Sequence, residues 1–217
     1  FSGSTRHGGV VAEELGRAVA PIPFASTVYL LAEAVMLAGD EAQKAEILPK
    51  IAAGELIGAL ATSEGPGVLS PATLKASVSG GKLTGVKIPV TDGDIADLCL
   101  VLAKENGQPG LFLADLTGAG VSREAVKTLD PTRDAARLRF DGAPVQRLGA
   151  AGEGFALLEQ VLDRAAILFA FEQCGGADKC LEMAKAYALE RYAFGRVIAS
   201  YQAIKHKLAD MYVNTEL

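Results

Sequence analysis

The apolar positions change rhythm twice along the chain. Over residues 10–20 the run VVAEELGRAVA sets Val11, Leu15, Ala18 and Val19 on one face at helical spacing, and Pro21 removes the donor that a further turn needs. Residues 24–37 are almost wholly apolar and predict a buried second helix; residues 41–53 predict a third that bends or restarts at Pro49. After Gly54 the helical period gives way to short β-rich runs separated by Gly, Pro and Asp. Ser79-Gly80-Gly81-Lys82 marks a hairpin between KASV and KLTGVKI, and residues 98–103 and 111–114 form a second across Asn106, Gly107, Pro109 and Gly110. Arg137, Leu138, Arg139 and Phe140 alternate as a half-buried strand does. A loop at 149–154 leads into a helical pattern over 155–192, interrupted only by the small residues around Gly175 and Gly176, which permit close helix packing. Gly195 predicts a break, and Ser200 caps a last helix through residue 217.

Helices on both sides of a run of strands argue for segregated α and β regions, not alternating βαβ units. The expected fold is therefore α+β and multidomain. It has an N-terminal helical segment over 1–56, an antiparallel β barrel or sandwich over 57–148, and a C-terminal helical bundle over 149–217. Gly149, Gly152 and Gly154 are spaced GxxGxG but follow no clear nucleotide-binding strand, so they read as an interdomain turn.

Composition narrows the function classes. The chain has 217 residues, half of them apolar, enough for one large domain or two smaller ones. With 21 Lys+Arg against 26 Asp+Glu there is no basic field to hold a phosphate backbone, and no nucleic-acid partner is expected. No stretch approaches the roughly 18 apolar residues of a membrane span, and FSGSTRHGG lacks the charged-then-apolar layout of a leader, so a cytoplasmic location is expected. Three cysteines, with Cys174 and Cys180 six apart in a helical pattern, suggest buried thiols and no disulfide framework. His7 and His206 have no ligand-spaced companions, and no metal site is expected. The helices after Phe155 carry more apolar surface than one β domain can cover, which predicts association.

Three stretches carry a family resemblance. VVAEELGRAVAPIPF with GDEAQKAEILPKIAAGELIGALATSE, then LDPTRDAARLRFDGAPVQRLGAAGEGF, then the long run from VLDRAAILF to KLADMYV, which holds Arg191-Tyr192-Ala193-Phe194-Gly195 and Gln202, resemble the flavin-dependent acyl-CoA dehydrogenase family. The resemblance implies helical, β and helical domains, bound FAD, an acyl-CoA substrate, an electron-accepting flavoprotein, and a homo- or hetero-oligomer, typically a tetramer. It also implies that Arg191 meets the FAD pyrophosphate across a dimer interface, that Phe194 packs on the cofactor and that Gln202 hydrogen-bonds near it, with Ile198 and Tyr201 in neighbouring contact positions.

Read as residues alone, these positions allow two accounts. A guanidinium offers a fork of donors to phosphate oxygens, and Arg191 and Phe194 would share a face one helical turn apart; equally, Arg191 could sit at a helix C-terminus for its dipole beside a core Phe194. In the β region the family's Thr-Glu-Pro-Gly loop is matched by Thr62-Ser63-Glu64-Gly65-Pro66-Gly67, but Val68-Leu69-Ser70-Pro71 replaces its Gly-Ser-Asp. Pro89-Val90-Thr91 stands where the family has Trp-Ile-Thr. Thr62, Ser63 and Thr91 are thus candidate flavin contacts or ordinary strand-end hydroxyls bonded to local backbone. Asp163 resembles a substrate-contacting position, or serves the dipole of its helix.

The family's catalytic glutamate lies downstream of the Gln202 motif, or early in the long helix where Ala165 stands here, so the catalytic base is unassigned. Two functions follow. One is an acyl-CoA dehydrogenase subunit making a trans-2-enoyl thioester; the alternative is a non-catalytic partner subunit that lends its Arg191 edge to another chain's FAD.

Overall fold

A computed structural model describes residues 5–217. The leader reading of FSGSTRHGG and the start of the 1–56 segment fall partly on residues 1–4, outside the described residues. The chain divides into two compact units, residues 21–166 and residues 1–20 with 167–217.

In the first unit a π-helical segment, Ala25–Ala32, runs directly into α2 (Glu33–Ala38). The predicted second helix is thus present in a wider winding. Helix α3 (Glu41–Ala53) is fixed at both ends: Asp40 and Gln43 form a reciprocal capping box, and Gly54 closes the helix in the left-handed region. The expected bend or restart at Pro49 does not break it. Ile47 and Ile51, buried on either side of Pro49, hold the helix across the lost backbone bond.

Seven strands follow: β1 (Gly58–Ala61), β2 (Ser77–Ser79), β3 (Lys82–Thr91), β4 (Leu98–Glu105), β5 (Gln108–Asp115), β6 (Val121–Ala125) and β7 (Ala135–Leu148). Five of them pair in a ring, β4-β2-β3-β7-β5 and back to β4, with β1 added to β4 and β6 to β7. The expected barrel is present, but it is not wholly antiparallel: β1 and β2 both run parallel to β4. Turn signals report only neighbouring strands, and these pairings join strands far apart in sequence. Both predicted hairpins occur, at Gly80-Gly81 and at Asn106-Gly107, each pair at positive φ as a tight two-residue turn requires. Pro109 and Gly110 belong to β5, not to the turn.

Strand β4 also departs from simple alternation. Cys99, Val101 and Ala103 enter the barrel interior with Val78, Leu83, Leu138 and Phe140. Leu100 and Leu102 face the other way and pack with Leu31, Val35, Ile47, Ile51, Leu157 and Val161. Helices cover the outer face here, so the strand is apolar on both sides.

Helix α4 (Gly154–Glu190) begins against the β4–β5 hairpin, where a side chain on Gly154 would meet Gly110 backbone at 2.7 Å. The division between the units falls inside this helix. In the second unit α1 (Thr5–Ala18) and the later part of α4 approach backbone to backbone: a Cβ on Gly16 would strike the Glu172 carbonyl, and one on Gly175 the Glu13 carbonyl. Arg17 pairs with Asp178 beside this contact. The glycines permit close packing as predicted, without interrupting α4; the contact offsets their cost of about 1 kcal/mol each in a helix. Met183, Tyr187, Leu189, Tyr212 and Val213 leave much apolar surface exposed.

Past α4 the chain forms a hairpin of β8 (Tyr192–Ala193) and β9 (Arg196–Val197), a 3-10 turn (Ile198–Ser200) and α5 (Gln202–Glu216). Ser200 does not cap α5: its hydroxyl donates to the Val197 carbonyl at 2.7 Å, and Tyr201 holds the cap position. Among the described residues no helix is long and apolar enough to cross a membrane.

Candidate functional site

The sequence candidates fall into two groups, one in each unit. In the barrel unit, Thr62 and Ser63 leave β1, and Thr91 ends β3. These two segments are tied side by side: the Ile88 N–H donates to the Ser63 carbonyl at 2.9 Å, and Glu64 bridges Ile88 in parallel. The Ser63 hydroxyl bonds locally, within 3.4 Å of Gly65 backbone, as a strand-end hydroxyl does. Thr91 is exposed, and its hydroxyl makes no hydrogen bond among the described residues.

Sequence reasoning missed the pair that organises this edge. Lys87 follows the strand alternation inward and is 0% exposed. Its ammonium donates to Glu64 Oε1 at 2.9 Å and to the Thr62 carbonyl at 3.1 Å. Glu64 also accepts the backbone N–H groups of Lys75 and Ala76, both at 2.8 Å. Burial pushes the Lys87 ammonium below its usual range against the pull of Glu64. Burial raises the Glu64 carboxyl, but Lys87 and the two N–H groups outweigh it and leave it below 4.5. A charged residue at an inward position of the strand, in phase with Leu83, was the available signal.

Next to Thr91, Asp92 is buried at positive φ and accepts the Ser26 hydroxyl at 2.5 Å. Burial pushes its carboxyl up, against Ser26 and Arg133. Asp163 lies on an exposed face of α4, while Ala165 one position beyond Arg164 is buried.

In the second unit the expected helical face of Arg191 and Phe194 does not exist. Helix α4 ends at Glu190, and Phe194-Gly195 form the two-residue turn of the β8–β9 hairpin, with φ of 52° and 80°. The break predicted at Gly195 is present as a chain reversal, with α4 itself ending at Glu190, so Arg191 and Phe194 do not share a helical face. Phe194 is not a core residue: it is 98% exposed. A bulky side chain in the left-handed region costs about 1–3 kcal/mol, and such outliers gather at functional sites. The hairpin is braced from behind. Tyr201 donates its hydroxyl to the Ala193 carbonyl at 2.9 Å, Ile198 donates its N–H to the Arg191 carbonyl at 2.8 Å, and the Arg196 guanidinium stacks 4.0 Å above the Tyr201 ring. The exposed Arg191 guanidinium makes no ion pair or hydrogen bond among the described residues. Gln202 is exposed at the first turn of α5, and Ile198 is half-buried.

The cysteine expectation holds for one residue: Cys99 is buried, whereas Cys174 and Cys180 are exposed because α4 is only partly covered. Among the described residues no group of His, Cys, Asp and Glu could hold a metal ion.

Comparison with known proteins gives this geometry a context. The family signatures "Acyl-CoA dehydrogenase, N-terminal domain" and "Acyl-CoA dehydrogenase, C-terminal domain" match residues 2–55 and 152–217. The chain belongs to the acyl-CoA dehydrogenase family. It is 36% identical to acyl-CoA dehydrogenase IpdE2 of Mycobacterium tuberculosis, over 94% of this chain and 51% of that protein. Among solved structures it is similar to the Tcur3481-Tcur3483 steroid ACAD, with 32% identity and a TM-score of 0.82 over 96% of this chain and 56% of that one. It is likewise similar to a glutaryl-CoA dehydrogenase from Mycobacterium smegmatis solved in complex with FADH2, with 26% identity and a TM-score of 0.82 over 95% and 56% of the two chains. The chain spans about half the length of the curated relatives it matches.

The residues present fit a dinucleotide flavin. An unpaired guanidinium suits a phosphate oxygen, a fully exposed ring on a strained turn suits an apolar face, and Gln202 and Thr91 keep free polar groups.

Proposed function

We propose that this chain is part of an FAD-dependent acyl-CoA dehydrogenase subunit that oxidises an acyl-CoA thioester to a trans-2-enoyl-CoA and passes the electrons to a flavoprotein acceptor. The observation that carries the reading is the β8–β9 hairpin, which presents the unpaired Arg191 and the exposed, strained Phe194 within the stretch matched to the family's C-terminal domain.

In this reading FAD, when bound, supplies the hydride acceptor of the reaction. Arg191 holds a pyrophosphate oxygen by charge-assisted hydrogen bonds, Phe194 covers an apolar face and excludes water, and Gln202 orients a polar edge. Ile198 and Tyr201 support that surface. Thr62, Ser63 and Thr91 offer backbone and hydroxyl groups to the flavin ring, and Asp163 faces the thioester substrate. Proton removal from the carbon next to the carbonyl needs a positioned base. Ala165 has no group for this role, and no other carboxylate of this chain is assigned to it. The exposed apolar surface of α4 and α5 supports an oligomer, and a tetramer is the proposed state.

Anaerobic titration of the full-length protein with a panel of acyl-CoA thioesters tests the reading. Loss of the bound flavin's visible absorbance with at least one thioester is the expected result. A yellow protein that no thioester reduces, or one that gains flavin only when co-expressed with a second chain, would favour the partner-subunit role instead.

A further inference from the structure

Two segments offer candidate flavin contacts in the barrel unit, Thr62-Ser63 and Thr91, and they are not neighbours in sequence. Beside the backbone bond from Ile88 to the Ser63 carbonyl, they are held together by an ion pair whose cation is fully buried. Glu64 directly follows the first segment, and Lys87 sits in β3 four residues before Thr91. Lys87 reaches across to the Thr62 carbonyl at 3.1 Å as well as to Glu64 at 2.9 Å, so its ammonium fixes the backbone of the residue that is itself a candidate contact. Through Lys75 and Ala76 the same carboxylate also fastens the far end of the 65–74 loop, just before β2.

Such a pair is a poor source of stability. Desolvating the Lys87 ammonium and part of the Glu64 carboxylate cancels most of their attraction, and an apolar pair of similar volume would fold about as well. Its value lies in direction: an ammonium with fixed partners sets the position of a carbonyl in a way that apolar packing does not. The need is greater here, because Pro89-Val90 leave the edge without a large aromatic ring to pack against.

We infer that Lys87 and Glu64 are positioning residues that hold the Thr62–Ser63 and Ile88–Thr91 segments in the one arrangement that receives the flavin ring. This rests on the function proposed above. Neither residue touches the reacting atoms; both act through the backbone of the edge.

The test uses the full-length protein and FAD, with Lys87→Met compared against Leu102→Ala, a change in the second core cluster between β4 and the helices. Both variants lower the thermal midpoint. Well below both midpoints, Lys87→Met is expected to weaken FAD retention on the order of tenfold and to shift the visible absorbance of the flavin that stays bound, while Leu102→Ala changes neither. Equal FAD retention and identical spectra in the two variants would overturn the inference while leaving the proposed function standing. A wild-type protein that retains no FAD would overturn both. Should Lys87→Met fail to fold, Glu64→Gln, which keeps an amide oxygen for the backbone donors, is read against Leu102→Ala in the same way and decides the matter.

Discussion

The two places where this chain offers candidate flavin contacts are built in opposite ways. The barrel edge at Thr62, Ser63 and Thr91 is arranged from within, by the fully buried Lys87 and by the backbone bond from Ile88 to Ser63. The hairpin at Arg191 and Phe194 is arranged from outside: its turn is exposed and strained, and a tyrosine hydroxyl and a stacked arginine brace it. Burial gives the first a fixed shape whose disturbance spreads into the core. Exposure gives the second side chains that are free to meet something beyond this unit, at the expense of local strain.

Substitution of phenylalanine draws the difference most sharply. Phe140→Ala, inside the barrel, is expected to lower unfolding stability by about 3–5 kcal/mol in denaturant titration, because it leaves a cavity that the strands cannot fill. Phe194→Gly should do the reverse, raising stability by up to about 1 kcal/mol through relief of the positive-φ strain while weakening flavin retention. A Phe194→Gly protein less stable than the wild type would show that the ring packs where its exposure says it does not.

Charge on the hairpin gives the next effect in size. Arg191→Ala should weaken FAD retention on the order of tenfold to a hundredfold, the loss of a charge-assisted hydrogen bond of roughly 1.5–3 kcal/mol. The stack of Arg196 on Tyr201 braces the turn, so Arg196→Ala should cost a few-fold, in line with an exposed cation–π contact of about 0.5–1 kcal/mol. Equal losses in equilibrium dialysis would mean that net charge, not position, governs retention.

The smallest expected effect tests the rim of the barrel edge. Burial raises the Asp92 carboxyl above its ordinary value of 3.8, so the folded state favours the protonated form. Stability contributed by that proton is present at acid pH and is lost as pH rises from 3.8 through the raised value. Asp92→Asn, which tolerates the same backbone region and keeps an oxygen for Ser26, should therefore gain thermal stability over the wild type at neutral pH, with the gain vanishing towards pH 3. A constant difference across that range would place the effect elsewhere than in the titration.

Local pattern in the amino-acid sequence was enough to predict the order of elements. Gly80-Gly81 and Asn106-Gly107 each carry their geometry within three or four residues, and the structure uses them as the sequence suggests. The family was legible too, because RYAFG and Gln202 with their flanking helices form a specific run. Tertiary structure alone decided three things. Parallel pairing of β1 and β2 with β4 depends on strands that meet only after the barrel closes. Lys87 became a buried cation because the inward slot at its position is filled by a partner 23 residues earlier in the chain, and no local pattern reports a contact of that range. Phe194 does not share a helical face with Arg191 because a left-handed turn at Phe194-Gly195 is stabilised from Tyr201 and Arg196, whose hold on the hairpin exists only once the chain has folded back on itself.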